Sequence, residues 1–391
     1  MRRMMDFSLT DEQLDLQRMV REFCARECPK ELQQKWDDEL IFPQDIWDRL
    51  AELGIMGLPF PEEYGGSNGD IIDEAIVVEE LARGANPIAN LWITTVSFGG
   101  YSILKSASDA QKADLLPRLA SGQLPMALAL TEAGGGTDML NGVKARAKRN
   151  DDGWVISGQK IFITGAEQAK MFVVVAVTDP QPAKRTGGMT MFLVDPEKTD
   201  GIEIVPQPKV GNRVPHSCFV FFDDVQVPED AVLGEVGRGF HQVMQTLNNE
   251  RILIAAQSLG FGRGALEDGV QYANERIAFG KPIGQFQAVQ HRLAESAMEL
   301  ELARTMTYKA AWLQSNDLPA AIECSIAKWA ASESAVRAAE RGMQLMGGHG
   351  YMMEHAMQRY WRDSRLYTFS PITNDMVKNM VGESLGLPRS Y

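Results

Sequence analysis

A mainly helical protein with a small β domain at its centre is the fold class this sequence predicts. Three observations carry that expectation. Apolar residues recur at helical spacing from Thr10 to about Gly122, at a period of two from Met126 to about Val232, and at helical spacing again from Gly237. At 391 residues the chain is too long for one compact core. Gly- and Pro-rich punctuation separates the short apolar runs of the middle zone, as short strands require. The expected division is an N-terminal helical domain over 1–125, a central β domain over 126–235 and a C-terminal helical bundle domain over 236–391.

In the first zone, Thr10 followed by Gln13 is a capping box, and Leu16, Met19, Val20 and Phe23 continue one helical face. Pro43–Leu53 is a second helix closed by Gly54, and Asp70–Ala82 a third ended by Gly84, with a loop at Pro61–Gly66 between them. In the middle zone, Trp154–Ile156 and Gln159–Thr164 read as a hairpin turning at Ser157-Gly158. Further strands are expected at Met171–Val177, Met189–Val194, Gly201–Val205 and Cys218–Phe222, which suits a small sandwich or barrel, with a flexible loop at Asp179–Gly188. The last zone carries helical segments at about 239–278, 284–315, 319–346 and 353–366, none with an interior proline, so an antiparallel four-helix bundle is expected.

Composition narrows the function classes. Hydrophobic content of 45% and charged content of 23% are ordinary for a globular protein. A net charge of −13 argues against a nucleic-acid partner and an anionic membrane surface, both of which need clustered Lys and Arg. It leaves room for an anionic ligand in a locally basic pocket. The longest apolar run, Met171–Val177, is far too short to span a bilayer, and MRRMMDF has no apolar stretch behind its arginines to make a secretory signal. Cys24, Cys28, Cys218 and Cys324 form no paired framework; Cys24 and Cys28 share a helix face, which favours packing over a metal site. A cytoplasmic setting and no metal are expected.

Three strings carry chemistry. Leu130-Thr131-Glu132-Ala133-Gly134-Gly135-Gly136-Thr137-Asp138 places three glycines, where backbone N–H groups can approach a ligand, between two threonine hydroxyls; alone it reads as a tight turn. Arg276-Ile277-Ala278-Phe279-Gly280 with Gln287 downstream stands between two helices, where a lone arginine is ordinarily a solvated charge. Gln344, Gly347, Gly348, Gly350, Tyr351, Glu354, Arg359 and Asp363 hold fixed spacings over twenty positions. Phe162-Ile163-Thr164, after Gly158-Gln159-Lys160, reads alone as a strand edge with its aromatic facing the core.

In this order, from near Phe7 to about Gly382, these strings resemble the acyl-CoA dehydrogenase family. The resemblance implies FAD, with Leu130 and Thr131 at the flavin ring, Thr137 at the pyrophosphate, Phe162 on the isoalloxazine and Thr164 bonded to its reactive nitrogen. It places Arg276, Phe279 and Gln287 at the FAD of a neighbouring subunit, and Gln344, Gly347, Gly348, Thr373 and Asp375 also at the cofactor. It implies a homotetramer. The family reaction removes the α-proton of an acyl-CoA thioester as the β-hydrogen leaves as hydride, giving a trans-2-enoyl-CoA and passing electrons to an electron-transfer flavoprotein. No strand-to-helix G-x-G-x-x-G element for a nicotinamide is present.

The match departs from the usual pattern at the base. Most members carry a loop glutamate eight residues after the acid of the second signature; here that position is Pro371, which can neither accept a proton nor donate a backbone N–H. The isovaleryl- and long-chain-type members carry the base on a helix just before an arginine, which implies Glu250, with Arg251 and Asn248 on the substrate side. Taken alone, Glu250-Arg251 reads as an exposed helical pair. Asp375 is the next candidate. The departure keeps other readings open: an enoyl-CoA reductase, an oxidase or a lyase on the same fold, or a flavin-binding protein without catalysis.

Overall fold

The computed structural model describes residues 8–184 and 186–389; the segment 1–7, read above for a signal, and Arg185 of the loop expected at 179–188 lie outside the described residues. The capping box at the first helix, Asp11–Glu27, is formed: the Gln13 N–H donates to Thr10 Oγ1 at 3.2 Å and the Thr10 N–H to Gln13 Oε1 at 3.1 Å. Asp70 and Asp73 cap the helix Ile71–Gly84 in the same reciprocal way. That helix is buried on nearly every side because it packs against Leu247–Glu275, the long helix of the last zone, whose other neighbours are Gln287–Ser315 and Ala321–Met346. The two helical zones, separated in sequence by the strands, thus share one apolar core that runs from Val20 to Tyr367.

Between them lies an eight-stranded sheet: β1 (Met126–Ala129), β2 (Arg146–Asn150), β3 (Gly153–Thr164), β4 (Met171–Val177), β5 (Met189–Val194), β6 (Ile202–Gln207), β7 (Ser217–Val227) and β8 (Val232–Leu233). Its order is β6-β7-β3-β2-β4-β5-β8, with β1 parallel on β4. β2 and β4 share a single parallel pair, Arg146 with Val177, so the sheet folds there and its two halves face each other. Trp154 of β3 meets Phe192 of β5 edge-on at 5.5 Å inside a second core with Ile156, Phe172, Val174 and Val220. Alternate residues of β4 and β5 (Val173, Val175, Met191, Leu193) point the other way, into the helical core, as the strand period dictates.

Several local expectations are corrected. Ser157-Gly158 is not a turn: β3 runs through it, with a register shift against β7 between Ile156 and Gly158. A Cβ on Gly158 would lie 2.7 Å from the Ala145 backbone, so this glycine serves a bulge and a close approach. The hairpin is instead β2 to β3, with Gly153 at φ +127° after Asp151-Asp152. The segment at 239–278 is two helices, Gly239–Met244 and Leu247–Glu275, and the one at 353–366 begins only at Ala356. Asn374–Ser384 adds a helix that the sequence reading did not anticipate.

A buried polar cluster locks the three zones together. The Asn212 N–H, from the loop between β6 and β7, donates to Asp363 Oδ1 at 2.5 Å, while Asn86 Nδ2 reaches Asn212 Oδ1 at 2.8 Å. Gln257 Nε2 completes the junction at Asn90 Oδ1, 2.8 Å away. Each of these donors reaches an oxygen from another zone, so the junction tolerates little rearrangement. Among the described residues no helix is long and apolar enough to cross a membrane.

Candidate active site

The strand end at Leu130-Thr131 is held by a buried lysine. Lys160, fully buried in β3, donates to the Leu130 carbonyl at 3.1 Å, the Val175 carbonyl at 2.6 Å and Glu132 Oε1 at 2.7 Å. Burial lowers its pKa to about 8 against the pull of Glu132. Glu132 in turn accepts from the Lys144 and Ala145 N–H groups at 2.8 and 3.0 Å, which fixes the start of the glycine loop. The Ile161 N–H donates to the Thr131 carbonyl at 2.9 Å, so Leu130-Thr131 runs directly beside the segment that ends in Phe162 and Thr164. Phe162 faces solvent, 63% exposed at φ +61°, not the core; the register shift between Lys160 and Ile163 turns it out. Thr164 Oγ1 lies 3.0 Å from Ser217 Oγ. Of the three glycines, Gly135 is required by packing, since a Cβ there would sit 2.2 Å from Gly142 Cα, while Gly134 and Gly136 look onto open space and Thr137 is exposed.

A second, separate patch carries the later strings. Ile277–Ala278 (β9) and Lys281–Pro282 (β10) form a two-residue hairpin whose tip, Phe279-Gly280, has both φ values positive (+51° and +79°), as a type I′ turn demands. The hairpin presents Phe279 96% exposed and leaves the exposed Arg276 without an acidic partner among the described residues. Gln287, also exposed, opens the next helix. Gly347 (φ +58°, ψ −130°) ends Ala321–Met346; a Cβ on Gly347 or Gly348 would meet nothing within 4 Å, and Gln344 is exposed one turn earlier. Tyr272 and His349, with ring centroids 6.0 Å apart, set this turn beside the hairpin. Among the described residues no hydrogen bond, ion pair or ring contact joins this patch to the Leu130–Thr137 and Phe162–Thr164 segments of the same chain.

The third group surrounds Glu250 in the first turn of Leu247–Glu275. Glu250 and Arg251 are both buried, contrary to the exposed pair their sequence suggests alone. Burial pushes the Glu250 carboxyl up to about 7, with Arg251 and Lys328 opposing. No described side chain hydrogen-bonds that carboxylate. Among the described residues the Arg251 Nε is buried without a partner, and its Nη2 lies 3.9 Å from Met380 Sδ. Lys328, fully buried in Ala321–Met346, donates to the Ile372 carbonyl at 2.6 Å and to Asn374 Oδ1 at 2.8 Å. The loop that carries Pro371 is thereby brought to the Glu250 side. Asn248 Nδ2 is occupied by Gln314 Oε1 at 3.2 Å. Thr373 caps Asn374–Ser384 by accepting from the Met376 N–H at 3.2 Å, and Asp375 is exposed in an ion pair with Lys378 at 3.5 Å.

Lys160, Glu132, Lys328 and Asn374 escaped the sequence reading as site residues. A signal existed for the two lysines. Lys160 falls at the inward parity of β3, and Lys328 interrupts the small apolar residues Ala327, Ala330 and Ala331 on a helix otherwise set for the core.

Glu250 is thus a buried carboxyl of raised proton affinity, the kind of perturbation that clusters at functional sites. Sequence models of the acyl-CoA dehydrogenase N-terminal, middle and C-terminal domains match residues 10–123, 127–225 and 237–386. The probable acyl-CoA dehydrogenase YngJ of Bacillus subtilis (strain 168) is 38% identical over 384 residues, 97% of this chain and 100% of the relative. The caffeyl-CoA reductase-Etf complex subunit CarC of Acetobacterium woodii is 34% identical, covering 95% of this chain and 97% of that protein. The solved structure of butyryl-CoA dehydrogenase from Megasphaera elsdenii superposes with a TM-score of 0.93 at 35% identity over 98% of this chain and 100% of that one. The chain belongs to the acyl-CoA dehydrogenase family, FAD-dependent oxidoreductases acting on CH–CH bonds.

Proposed function

We propose that this protein dehydrogenates an acyl-CoA thioester to the trans-2-enoyl-CoA with Glu250 as its base and an electron-transfer flavoprotein as electron acceptor. The observation that carries this reading is the Glu250 carboxyl: buried, pushed up to about 7, and, among the described residues, free of any hydrogen bond that would tie up its lone pairs. A base of that affinity is balanced between taking an α-proton and giving it up near neutral pH. Arg251 and Lys328 supply positive charge beside it, offsetting part of the cost of a buried carboxylate. Pro371 has no N–H to offer a thioester oxygen, and the Ile372 N–H is the next donor along that loop.

The residues fit FAD. Open space at Gly134, Gly136, Gly347 and Gly348, the outward Phe162 ring, the Thr131, Thr137 and Thr164 hydroxyls and the exposed Arg276 make a set suited to a flavin ring and a pyrophosphate. FAD, when bound, supplies the acceptor for the β-hydrogen. In this reading Leu130, Thr131, Phe162 and Thr164 hold the ring, while Arg276, Phe279, Gln287, Gln344, Gly347 and Gly348 serve the FAD of a neighbouring subunit. The separation of the two patches within one chain and the 96% exposure of Phe279 support such sharing, and with it a homotetramer. Thr373 and Asp375 belong to the cofactor side of the Pro371 loop, and Asn248 and Arg251 to the substrate side. A cytoplasmic setting accords with four buried free cysteines.

A second reading, the enoyl-CoA reductase direction, is favoured by Pro371 in place of the loop carboxylate and by the likeness to CarC. Anaerobic mixing of the yellow holoprotein with butyryl- to palmitoyl-CoA separates the two. Flavin bleaching by a saturated thioester, with reoxidation by an electron-transfer flavoprotein faster than by air, is the expected result. No bleaching by any saturated thioester, with reoxidation of the reduced protein by an enoyl-CoA, would establish the reductase instead.

A further inference from the structure

Lys328 is a buried cation for which the reaction as outlined has no stated use beyond its charge. It sits on Ala321–Met346, opposite the start of Leu247–Glu275, and is completely excluded from solvent. Its ammonium makes two hydrogen bonds, both to the segment after Pro371: the Ile372 carbonyl at 2.6 Å and Asn374 Oδ1 at 2.8 Å. Asn374 is locked in turn, its Nδ2 shared between Ser332 Oγ at 3.1 Å and Glu333 Oε1 at 3.2 Å, both on the lysine's own helix. Neither partner of the ammonium is a carboxylate. The acidic charge that acts on it most strongly is Glu250, with which it makes no hydrogen bond among the described residues.

A structural lysine would be expected to close an ion pair. A fully buried ammonium left on neutral oxygens is costly unless its charge is used elsewhere. We propose that Lys328 is a positioning residue for the reaction, clamping the Pro371 loop through the Ile372 carbonyl while its charge holds the Glu250 carboxylate ionised. One group then sets both the place of the loop N–H and the proton affinity of the base, so loop geometry and base strength are coupled. The proposal rests on Glu250 being the base.

The charged groups around this site are few. Glu250 and Arg251 face it from Leu247–Glu275, and Glu333 from Ala321–Met346. Cys324, one turn before Lys328, is pushed up to about 12 by burial and stays a neutral thiol. From Asn374–Ser384, Asp375 and Lys378 pair with each other at 3.5 Å and are exposed. Burial lowers Lys328 to about 8, with Arg251 acting in the same direction and Glu250 and Glu333 opposing. It therefore keeps most of its charge at the pH where Glu250 is half-ionised.

The test is the pH dependence of flavin bleaching by an acyl-CoA in the holoenzyme. Lys328→Gln keeps an amide that can donate to the Ile372 carbonyl but removes the charge. Its acid-limb midpoint should move up by about one pH unit, the order expected when an adjacent opposite charge is lost. Lys328→Arg, which keeps the charge, should slow bleaching without moving the midpoint. Asn374→Ala, which loosens the clamp but leaves the ammonium, should do the same. A Lys328→Gln profile that superimposes on wild type after scaling would overturn the proposal and leave Lys328 a structural anchor. If Lys328→Gln does not retain FAD, Lys328→Met carries the same expectation, and retained 450-nm absorbance decides which variant is read. Glu250→Gln run in parallel separates the two failures: bleaching that survives there removes the base assignment itself, whereas a dead Glu250→Gln with an unshifted Lys328→Gln removes only the role of the lysine.

Discussion

Two fully buried lysines, Lys160 in the sheet and Lys328 in the helical core, solve the same electrostatic problem in different ways. Burial lowers both to about 8, and each donates to uncharged oxygens at hydrogen-bonding distance. Lys160 adds a direct bond to Glu132 at 2.7 Å, and that carboxylate is filled further by two backbone N–H groups. Lys328 faces Glu250 without bonding it, and nothing else among the described residues does. A carboxylate with both oxygens engaged in hydrogen bonds is a strut; one stabilised only by nearby charge keeps room for a proton. The difference lies in hydrogen bonding, since burial is common to both pairs.

The largest expected effect exchanges the roles of the two acids. Glu250→Gln should slow flavin bleaching by acyl-CoA by at least about 10²–10⁴-fold, the usual worth of a general base, while FAD stays bound. Glu132→Gln should leave the proton-transfer step intact in whatever protein folds, and lower stability instead. Stopped-flow bleaching and urea unfolding on both variants check the pair. Glu250→Gln bleaching at the wild-type rate would end the comparison, and Asp375 would be examined next.

Next comes Lys160→Met. Removing one partner of a buried ion pair leaves the other charge uncompensated and typically costs about 3–5 kcal/mol. Glu132 keeps two N–H donors here, so the lower end is expected, read as a lower urea midpoint at unchanged slope. A loss under about 1 kcal/mol would show that Glu132 alone holds the strand end at Leu130.

The contrast also marks what was legible in the sequence. The three zones followed from period, and Thr10 with Gln13 from local chemistry, because both are written in neighbouring residues. The Ser157-Gly158 turn failed because glycine serves turns and bulges equally; only the approach of Ala145 decides between them. Taken alone, Phe162 reads as an aromatic facing the core, whereas the resemblance sets it toward a cofactor; the register shift against β7, far along the chain, leaves it facing outward. Glu250 is a candidate through the resemblance, by its place before Arg251, but its burial and the arrival of Lys328 from a helix 78 residues further along the sequence are tertiary facts that no local pattern encodes. The sharing of one core by Ile71–Gly84 and Leu247–Glu275 is of the same kind.

A third prediction concerns the cost of leaving Glu250 unbonded. Its folded pKa, about 7, lies above the usual 4.5 of a glutamate. A raised carboxyl opposes folding only when it must ionise: the penalty is absent below about pH 4.5, grows as pH rises toward 7, and is complete above it. Glu250→Gln should therefore be more stable than wild type at pH 8, by up to roughly 3 kcal/mol, with the difference vanishing near pH 4. Glu132→Gln should show no such gain. Equal unfolding midpoints for Glu250→Gln and wild type at both pH values would mean that Arg251 and Lys328 fully compensate the buried charge.

The smallest effect tests whether the loop above Lys328 does two jobs at one residue. Thr373 has a capping bond to the Met376 N–H at 3.2 Å, while its hydroxyl proton remains available to a ligand. Thr373→Ala should cost about 1 kcal/mol through the cap alone, in the range of 0.5–2 usual for such losses, and Thr373→Ser should restore it. That cost is independent of FAD. Urea unfolding of the apo and FAD-loaded protein therefore separates the roles. If Thr373 also touches the cofactor, the loaded variant loses more than the apo form, and the excess equals the drop in FAD affinity. Equal losses would confine Thr373 to helix capping and leave the cofactor side of this loop to Asp375, whose carboxylate is exposed and only loosely paired.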